Sequence, residues 1–530
     1  MANLRLPNLI LFFLIFVLGI SAFFRLWQLD LIPPGLYPDV AINGNDALES
    51  LRTDSFKVFY PDNFGREGLF MWLLALSLLV FGISIWSIKI VAAIFGILTI
   101  LGLYLLIKEL FKLVNSKQLT VNSEFIALLS SFFLATSFWH TLFSRIGFRA
   151  ILLPFILVFA FYFLFRGFRT QKIWSFIVSG IFFGLGFYTY ISYRFIILLL
   201  PLILLCWFFV YQKQNLQKKF ILHTSYFILL IFIIALPIAL YFFQNPQDFI
   251  GRAAPISVFS AENPIKEFGK SLILHLGMFN FHGDPNWRHN FAGSPMLPWS
   301  LGILFLIGVI FSIKELIFSI KNKSCLLLTV NCLLLGWFFV MLLPGILTYE
   351  GIPHSLRVIG VIPVVYIFVG LGAWWSYEKL KLIIKNRKAL IALCIFFLLA
   401  IGYSEFDKYF FNWGKHPKVA EAFTKKYADI GYYLNSLPGD VQKYVIVNER
   451  GVPLYGISIP AQSPMFIESA KYGRPYSNYL RAEDLDQIKI DQRKTIIVPL
   501  YNGRLFDELQ KRFPTGEIQE EKEIKFYEIK

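Results

Sequence analysis

The chain is predicted to be a polytopic α-helical membrane protein, with about 11 transmembrane helices, external juxtamembrane helices and a small C-terminal α/β domain. The helical membrane class follows from three observations. Of 530 residues, 56% are hydrophobic and 18% aromatic, and the mean hydropathy is positive, which excludes an ordinary soluble globule. The apolar residues fall in runs of about 20, enough for a helix to cross a ~30 Å hydrocarbon core. Barrel strands are shorter and alternate, and an open sheet leaves its edge groups unpaired in lipid, so the spans are helices. The formal net charge of +16 lies in basic clusters between the apolar runs. That distribution suits cytoplasmic loops beside anionic lipid, and no nucleic-acid partner is expected.

In chain order the spans are expected near 8–26, 86–107, 124–142, 149–166, 173–191, 194–212, 220–243, 298–317, 325–343, 358–376 and 389–404. The first follows Arg5 and could pass for a signal peptide, but no small-residue cleavage site of convincing form follows, so it reads as a retained span. The run 68–82 reaches only ~22 Å at about 1.5 Å per residue and reads as an interfacial helix. Counting it as non-crossing places Lys108, Lys112 and Lys117, then Arg166, Arg169 and Lys172, then Lys213, Lys218 and Lys219 on one side. The same side receives Lys314, Lys321 and Lys323, then Lys379, Lys381, Lys385, Arg387 and Lys388. The positive-inside rule makes that side cytoplasmic, with the N-terminus, and puts the loops 27–85 and 244–297 and the C-terminal tail outside.

Residues 1–404 are thus expected to form a transmembrane domain and 405–530 a soluble α/β domain. In the tail, PKVAEAFTKKYADIGYYLNSL reads as an amphipathic helix, KYVIVNE and KTIIVPLY as buried strands, and GRLFDELQKRF as a further helix. The four cysteines lie in apolar runs without metal-ligand spacing and read as small buried hydrophobes.

The external segments carry the chemistry. Every histidine except His223 falls on or near that face. In the loop 27–85, Asp39 follows the Pro33-Pro34-Gly35 break, close to the end of the first span, on what reads as an ordered loop. Its apolar and aromatic flanks suit a general base, while a solvated acid is the plainer alternative. Arg145 and Arg149 in SRIGFR, and His354 and Arg357 in PHSLR, gather cations at outward helix ends. Snorkelling explains exposed ends, whereas a bound lipid phosphate explains why cations collect against the charge bias. The loop HGDPNWRHNF offers His282, Asp284, Arg288 and His289 beside Trp287 and Phe291. Its spacings fit no standard zinc pattern, and a substrate lid or sugar platform is the better reading.

The order PPGLYPD, FGREGLFMWLLALSLLVFG, SIKIVAAIFGILTILGLYLLIKELF and SFWHTLFSRIGFRA resembles the GT-C superfamily of polyprenyl-phosphate-sugar-dependent glycosyltransferases. Within it the chain looks most like bacterial relatives of the protein O-mannosyltransferases and of the lipid A aminoarabinose transferase, a PMT-like group also called glycosyltransferase family 39. The resemblance covers residues 1–404 and is strongest over 25–150. It implies an inverting transferase that moves a hexosyl or pentosyl group from a polyprenyl-phosphate sugar to an acceptor hydroxyl on a glycan, lipid or protein. The action is implied at the outer face of the cytoplasmic membrane. It implies Asp39 as catalytic base, with Val40 where the family usually has Glu, so that a second carboxylate would come from Asp46 or Glu67. It implies Arg66 as a donor-phosphate contact, joined by Arg145, Arg149, Arg357 and His354. Tyr37, His282, Asp284, Trp287, Arg288 and His289 are expected to line the substrate. No cofactor is required, because guanidinium groups can balance a lipid monophosphate; a divalent metal is possible without support from ligand spacing. The alternative class, a transporter or flippase of lipid-linked sugars, predicts ionisable residues near mid-membrane and broken, paired helices.

Overall fold

The computed structural model describes residues 6–114, 122–454, 456–501 and 503–530. Arg5 and Lys117 of the charge count lie outside the described residues. The helices run in chain order as α1 (Leu6–Leu26), α2 (Pro38–Thr53), α3 (Leu69–Phe81), α4 (Ile85–Val114), α5 (Ser123–Thr136), α6 (Phe138–Phe143) and α7 (Leu152–Thr170). Then follow α8 (Ile173–Gly186), α9 (Ile196–Lys213), α10 (Gln217–Gln244), α11 (Pro246–Ile250), α12 (Pro264–Gly277), α13 (Trp299–Lys321), α14 (Cys325–Ile346), α15 (Ile362–Ile383) and α16 (Arg387–Asp407). The tail holds α17 (Pro417–Ala422), α18 (Lys425–Ser436), α19 (Gln462–Tyr472) and α20 (Leu505–Arg512).

Among the described residues, 9 helices are long and apolar enough to cross a membrane: α1, α4, α7, α9, α10 and α13 to α16, some extended by a 3-10 turn. Two of the expected spans are shorter. The run 124–142 divides into α5 and α6 at Ser137, and the run 173–191 ends as a helix at Gly186. Composition does not show the first break, because its polar groups are met by residues far away in sequence. Arg25 donates to the carbonyls of Ala135 (2.8 Å) and Leu134 (3.3 Å), Glu405 accepts the Phe138 amide at 2.6 Å, and Tyr366 donates to Ser137 Oγ at 2.6 Å. Non-helical backbone at membrane depth survives only where such buried partners satisfy it. At the second break Tyr193 folds back, its hydroxyl donating to the Phe183 carbonyl at 2.7 Å. The run 68–82 becomes α3, 13 residues long, or roughly 20 Å at 1.5 Å per residue, short of the hydrocarbon core.

The chain divides into two compact units that do not follow chain order: Met1–Trp27 with Ala92–Trp413, and Gln28–Val91 with Gly414–Lys530. In the first, α13 packs along α15, α7 along α8, α8 along α10, α5 along α15 and α9 along α14. The most apolar window of α15 is 83% buried and that of α10 only 11%, so α15 is a central helix and α10 presents its side chains outward. Cys206 is buried, whereas Cys325, Cys332 and Cys394 are half-buried, and all four are free thiols.

In the second unit the small hairpin of β1 (Phe59–Tyr60) and β2 (Arg66–Glu67) precedes α3. The tail adds β3 (Gln442–Val447), β4 (Pro453–Leu454), β5 (Ile457–Ser458), β6 (Asn478–Arg481), β7 (Thr495–Pro499), β8 (Glu517–Glu521) and β9 (Ile524–Ile529). A five-stranded sheet of order β6-β3-β7-β9-β8 has β6, β3 and β7 parallel and the last two antiparallel. Strand alternation sends Val445, Ile496 and Val498 into a core with Ile430 and Leu434 of α18, and Ile446 and Ile497 into another with Leu505 and Leu509 of α20. Both faces of β3 and β7 are covered, which explains their nearly continuous apolar sequence. The helix expected over 417–437 is broken at Thr424, which has φ +49° and donates its hydroxyl to the Leu36 carbonyl at 3.2 Å.

Asp39 is not on a loop, as expected, but in the first turn of α2, a 16-residue helix capped by Tyr37 with Pro38 at its first position. Asn, Gly and Asp make its sequence a weak helix former. Its buried face, including Ala41, Gly44 and Leu48, packs on α3 and α19, and tertiary contact outweighs propensity.

Candidate active site

Two clusters of polar side chains stand out, one in each unit. In the unit of Gln28–Val91 and Gly414–Lys530, the turn before α2 is set by Gly35, whose φ is +83° and where a Cβ would come within 2.6 Å of the Phe423 carbonyl oxygen. Only glycine fits that approach. The Leu36 carbonyl also accepts Ser463 Oγ at 2.7 Å. The chain therefore enters α2 in one orientation, with Asp39 half-buried at the positive end of the helix dipole. Asn63 Nδ2 donates to Asp39 Oδ1 at 3.0 Å.

Asn63 belongs to a turn in which Asn63, Phe64 and Gly65 all have positive φ. At Gly65 a Cβ would meet the Phe59 ring at 2.5 Å. Two consecutive non-glycine residues in the left-handed region are a local strain of the kind that accumulates at functional sites. The same turn delivers Arg66, which is 1% exposed. Arg66 lies 2.5 Å from Asp46, donates to Asn43 Oδ1 at 3.0 Å and to the Asp62 carbonyl at 3.2 Å, and sits over the Tyr60 ring at 5.9 Å. Burial pushes the Asp46 carboxyl above its ordinary value, against the pull of the Arg66 guanidinium. Glu67 is buried with its backbone paired to Phe59. Thus Asp46 is the ion-pair partner of Arg66. Asn43 and Asn63, which sequence reasoning passed over, complete the polar shell; the Asp-Asn-x-Gly turn signature of residues 62–65 was the available signal for Asn63.

In the other unit, Asp284 is 1% exposed. Its Oδ2 accepts the amide of Ser355 at 2.8 Å and the Ser355 hydroxyl at 3.0 Å, and its Oδ1 accepts the Asn286 amide at 2.8 Å. His289 Nδ1 stands 3.3 Å and His354 Nδ1 3.9 Å from the same carboxylate. Burial alone would raise the Asp284 carboxyl, but the neighbouring His289 imidazole, with the amides of Asn286 and Ser355, holds it below its ordinary value. Asp284, His289 and His354 each offer one ligand atom, all within 4.8 Å of one another, so this trio is the group that could hold a metal ion among the described residues. Two nitrogens and a carboxylate suit zinc or another transition ion. Linear spacing did not show the trio, because its third member comes from a loop 65 residues beyond His289. Ser355 ties two of these residues together, its hydroxyl lying 3.0 Å from Asp284 Oδ2 and 3.1 Å from the His289 carbonyl oxygen.

Arg357 donates to Thr348 Oγ1 at 2.8 Å and to the Glu350 carbonyl at 2.7 Å. Arg149 is half-buried over the Tyr190 ring at 5.4 Å. Arg145 is fully buried, donating to the carbonyls of Phe24 (3.0 Å) and Trp27 (2.8 Å) and lying over the rings of Tyr409 and Phe410. These contacts give it an architectural task, since carbonyls at the end of α1 lack helical partners. His282 is exposed, Trp287 packs against Phe291 at 5.2 Å, and Arg288 donates to Asn286 Oδ1. Tyr37 is half-buried.

His275 of α12, outside the expected set, holds this second cluster. Its Nδ1–H donates to the Ser271 carbonyl at 2.8 Å, so its Nε2 accepts the His354 amide at 3.2 Å. Burial lowers its pKa to about 4 from 6.5. The acceptor role requires neutral imidazole, so the stability it contributes is present above about pH 6.5 and lost as pH falls through about 4. Protection of the 348–357 amides, corrected for intrinsic exchange, is expected to fall across that window. His275→Gln should flatten the dependence; an unchanged profile in that variant would assign it to another group.

Residues 69–241, less than half of the chain, match the family model described as dolichyl-phosphate-mannose-protein mannosyltransferase. No curated protein matches. Among solved structures, ArnT from Cupriavidus metallidurans bound to undecaprenyl phosphate is similar at TM-score 0.57 and 13% identity, over 99% of this chain and 98% of that one. ArnT from Cupriavidus metallidurans in the apo state gives 0.54 and 12%, over 98% of both. The apo Archaeoglobus fulgidus oligosaccharyltransferase gives 0.52 and 14%, over 90% of this chain and 65% of that chain. At these identities the likeness is one of fold.

Proposed function

We propose that this chain, which has the GT-C fold and is PMT-like over residues 69–241, is an inverting glycosyltransferase that draws on a polyprenyl-phosphate sugar. The observation that carries the reading is Asp39 at the start of α2, oriented by Asn63 from a strained turn. A carboxylate held by one neutral amide keeps lone pairs for a proton, as a general base requires. Asp39 takes the proton of the acceptor hydroxyl while that oxygen attacks the anomeric carbon and the lipid phosphate departs with the bonding electrons.

Cationic groups stabilise the leaving phosphate. Arg149 and Arg357 are assigned to it, with His354 beside Arg357, whose amide lies 3.4 Å from His354 Nδ1. Arg66 is assigned to keeping the Asn63–Arg66 turn in place through Asp46, while contributing positive charge. Likeness in fold to a structure bound to undecaprenyl phosphate supports a prenyl donor. So does an apolar cavity of about 250 Å³ lined by Phe183, Tyr193, Ile196, Leu200, Phe227 and Ile231, beside the turn that carries Tyr190 under Arg149. Charge counting supports an N-terminus in the cytoplasm, a tail outside and action at the outer face of the cytoplasmic membrane. Residues 1–404 are proposed as the catalytic part and 405–530 as an accessory α/β part.

Membranes containing the protein and a radiolabelled polyprenyl-phosphate sugar are expected to move label from the lipid to a polar product. Label that changes leaflet while staying on its lipid would identify a flippase instead. Chelation with EDTA is expected to leave the rate within twofold, because guanidinium groups carry the phosphate charge; loss of activity restored by zinc or manganese would instead assign an ion to Asp284, His289 and His354.

A further inference from the structure

The tail sheet has a topological switch point of its own. The chain leaving β3 passes through α19 to β6 on one side, and the chain leaving β7 passes through α20 to β8 and β9 on the other. Between the carboxyl ends of β3 and β7 the direction of winding reverses, and open sheets with parallel strands bind ligands at such a point. The two ends are tied together there: Asn448 Nδ2 donates to the Tyr501 carbonyl at 2.8 Å, and the Tyr501 amide donates to Asn448 Oδ1 at 2.9 Å. Tyr501 itself is 57% exposed. Next to Asn448, the half-buried Glu449 lies within electrostatic range of Tyr427 and Lys426.

The segment that carries Tyr427 is packed against the turn that leads into α2. Gly35 packs on the backbone of Phe423 and Lys425, and the Leu36 carbonyl accepts Thr424 Oγ1 and Ser463 Oγ. Tyr37 consequently lies within electrostatic range of Tyr427. Tyr37 is two residues from Asp39, and all these groups belong to one compact unit.

We propose that the carboxyl edge of β3 and β7 is the acceptor subsite, and that the acceptor is a hydroxyl-rich glycan held by Glu449, Tyr427 and Tyr501. The identification of the ligand as an acceptor rests on the transferase reading above; the binding chemistry stands without it. A carboxylate accepts sugar hydroxyls, phenols both donate and accept, and an aromatic face covers the C–H side of a pyranose. An extended peptide would instead seek a free strand edge, and β3 and β7 both have strands on either side.

Full-length protein in lipid nanodiscs, passed over immobilised oligosaccharides and Ser- and Thr-containing peptides, tests this without turnover. At least one oligosaccharide should retain the protein, with retention weakened tenfold or more by Glu449→Gln and by Tyr427→Phe. Asp491→Asn, in the loop before the amino end of β7, should bind as the unaltered chain does. Retention on peptides alone, on no oligosaccharide, or undiminished in Glu449→Gln would overturn the proposal. Oligosaccharide capture without label transfer would remove the transferase reading and leave the subsite; transfer with capture unaffected by Glu449→Gln would remove the subsite alone.

Discussion

Asp39→Asn is expected to lower sugar transfer by about 10³-fold, within the range a positioned general base contributes, while leaving the fold intact. The substitution preserves shape. Its amide can still pair with Asn63, at most after a flip of either side chain, and the first turn of α2 keeps its Tyr37 cap and Pro38. What disappears is the group that receives the proton, so kcat should fall and the affinity for donor should hold. Transfer assays in membranes, beside binding of the labelled lipid, separate the two. Full activity in Asp39→Asn would remove Asp39 from the mechanism. Asn63→Ala should cost less, because the base survives and loses only its orientation.

The second large effect is on stability. Arg66→Met is expected to cost about 3–5 kcal/mol, because it strands a desolvated carboxylate where a buried ion pair stood. Asp46 already has its carboxyl raised by burial, with Arg66 opposing that rise, so losing the guanidinium leaves it with little reason to ionise. Arg66→Met combined with Asp46→Leu should recover much of the loss, since replacing both partners removes the desolvation penalty. Thermal unfolding of the two variants in detergent measures this. Recovery of fold without activity would give Arg66 a part in handling the donor charge. Recovery of both would confine it to holding the turn 62–66, and failure of the double variant to regain stability would contradict the ion-pair account.

The extent to which the site could be read in advance differs between its parts. Asp39 was legible because a proline-rich break, an aromatic flank and the end of a span coincide within a few residues. Its setting was not, since α2 contains Asn43, Gly44, Asn45 and Asp46 and looks like a loop until α19 is packed against it. Arg145 shows the converse. Its type and place suggest an anion, and what the sequence does not show is that its guanidinium meets the carbonyls of Phe24 and Trp27, more than a hundred residues earlier. The Asp284, His289, His354 and Ser355 cluster was half visible as a histidine-rich loop; its other half arrives from 71 residues beyond Asp284.

By itself the sequence determined the membrane class, most of the spans, the shortness of α3 and the buried strands β3 and β7, because hydrophobic length and periodicity act locally and lipid admits few backbone solutions. Tertiary structure alone decided that α5 breaks at Ser137, that the Asp39 segment is helical and grouped with the tail, and which charges are engaged by backbone carbonyls. Those outcomes depend on whether a buried polar group meets a partner, and the partners come from elements that only folding brings within a hydrogen bond.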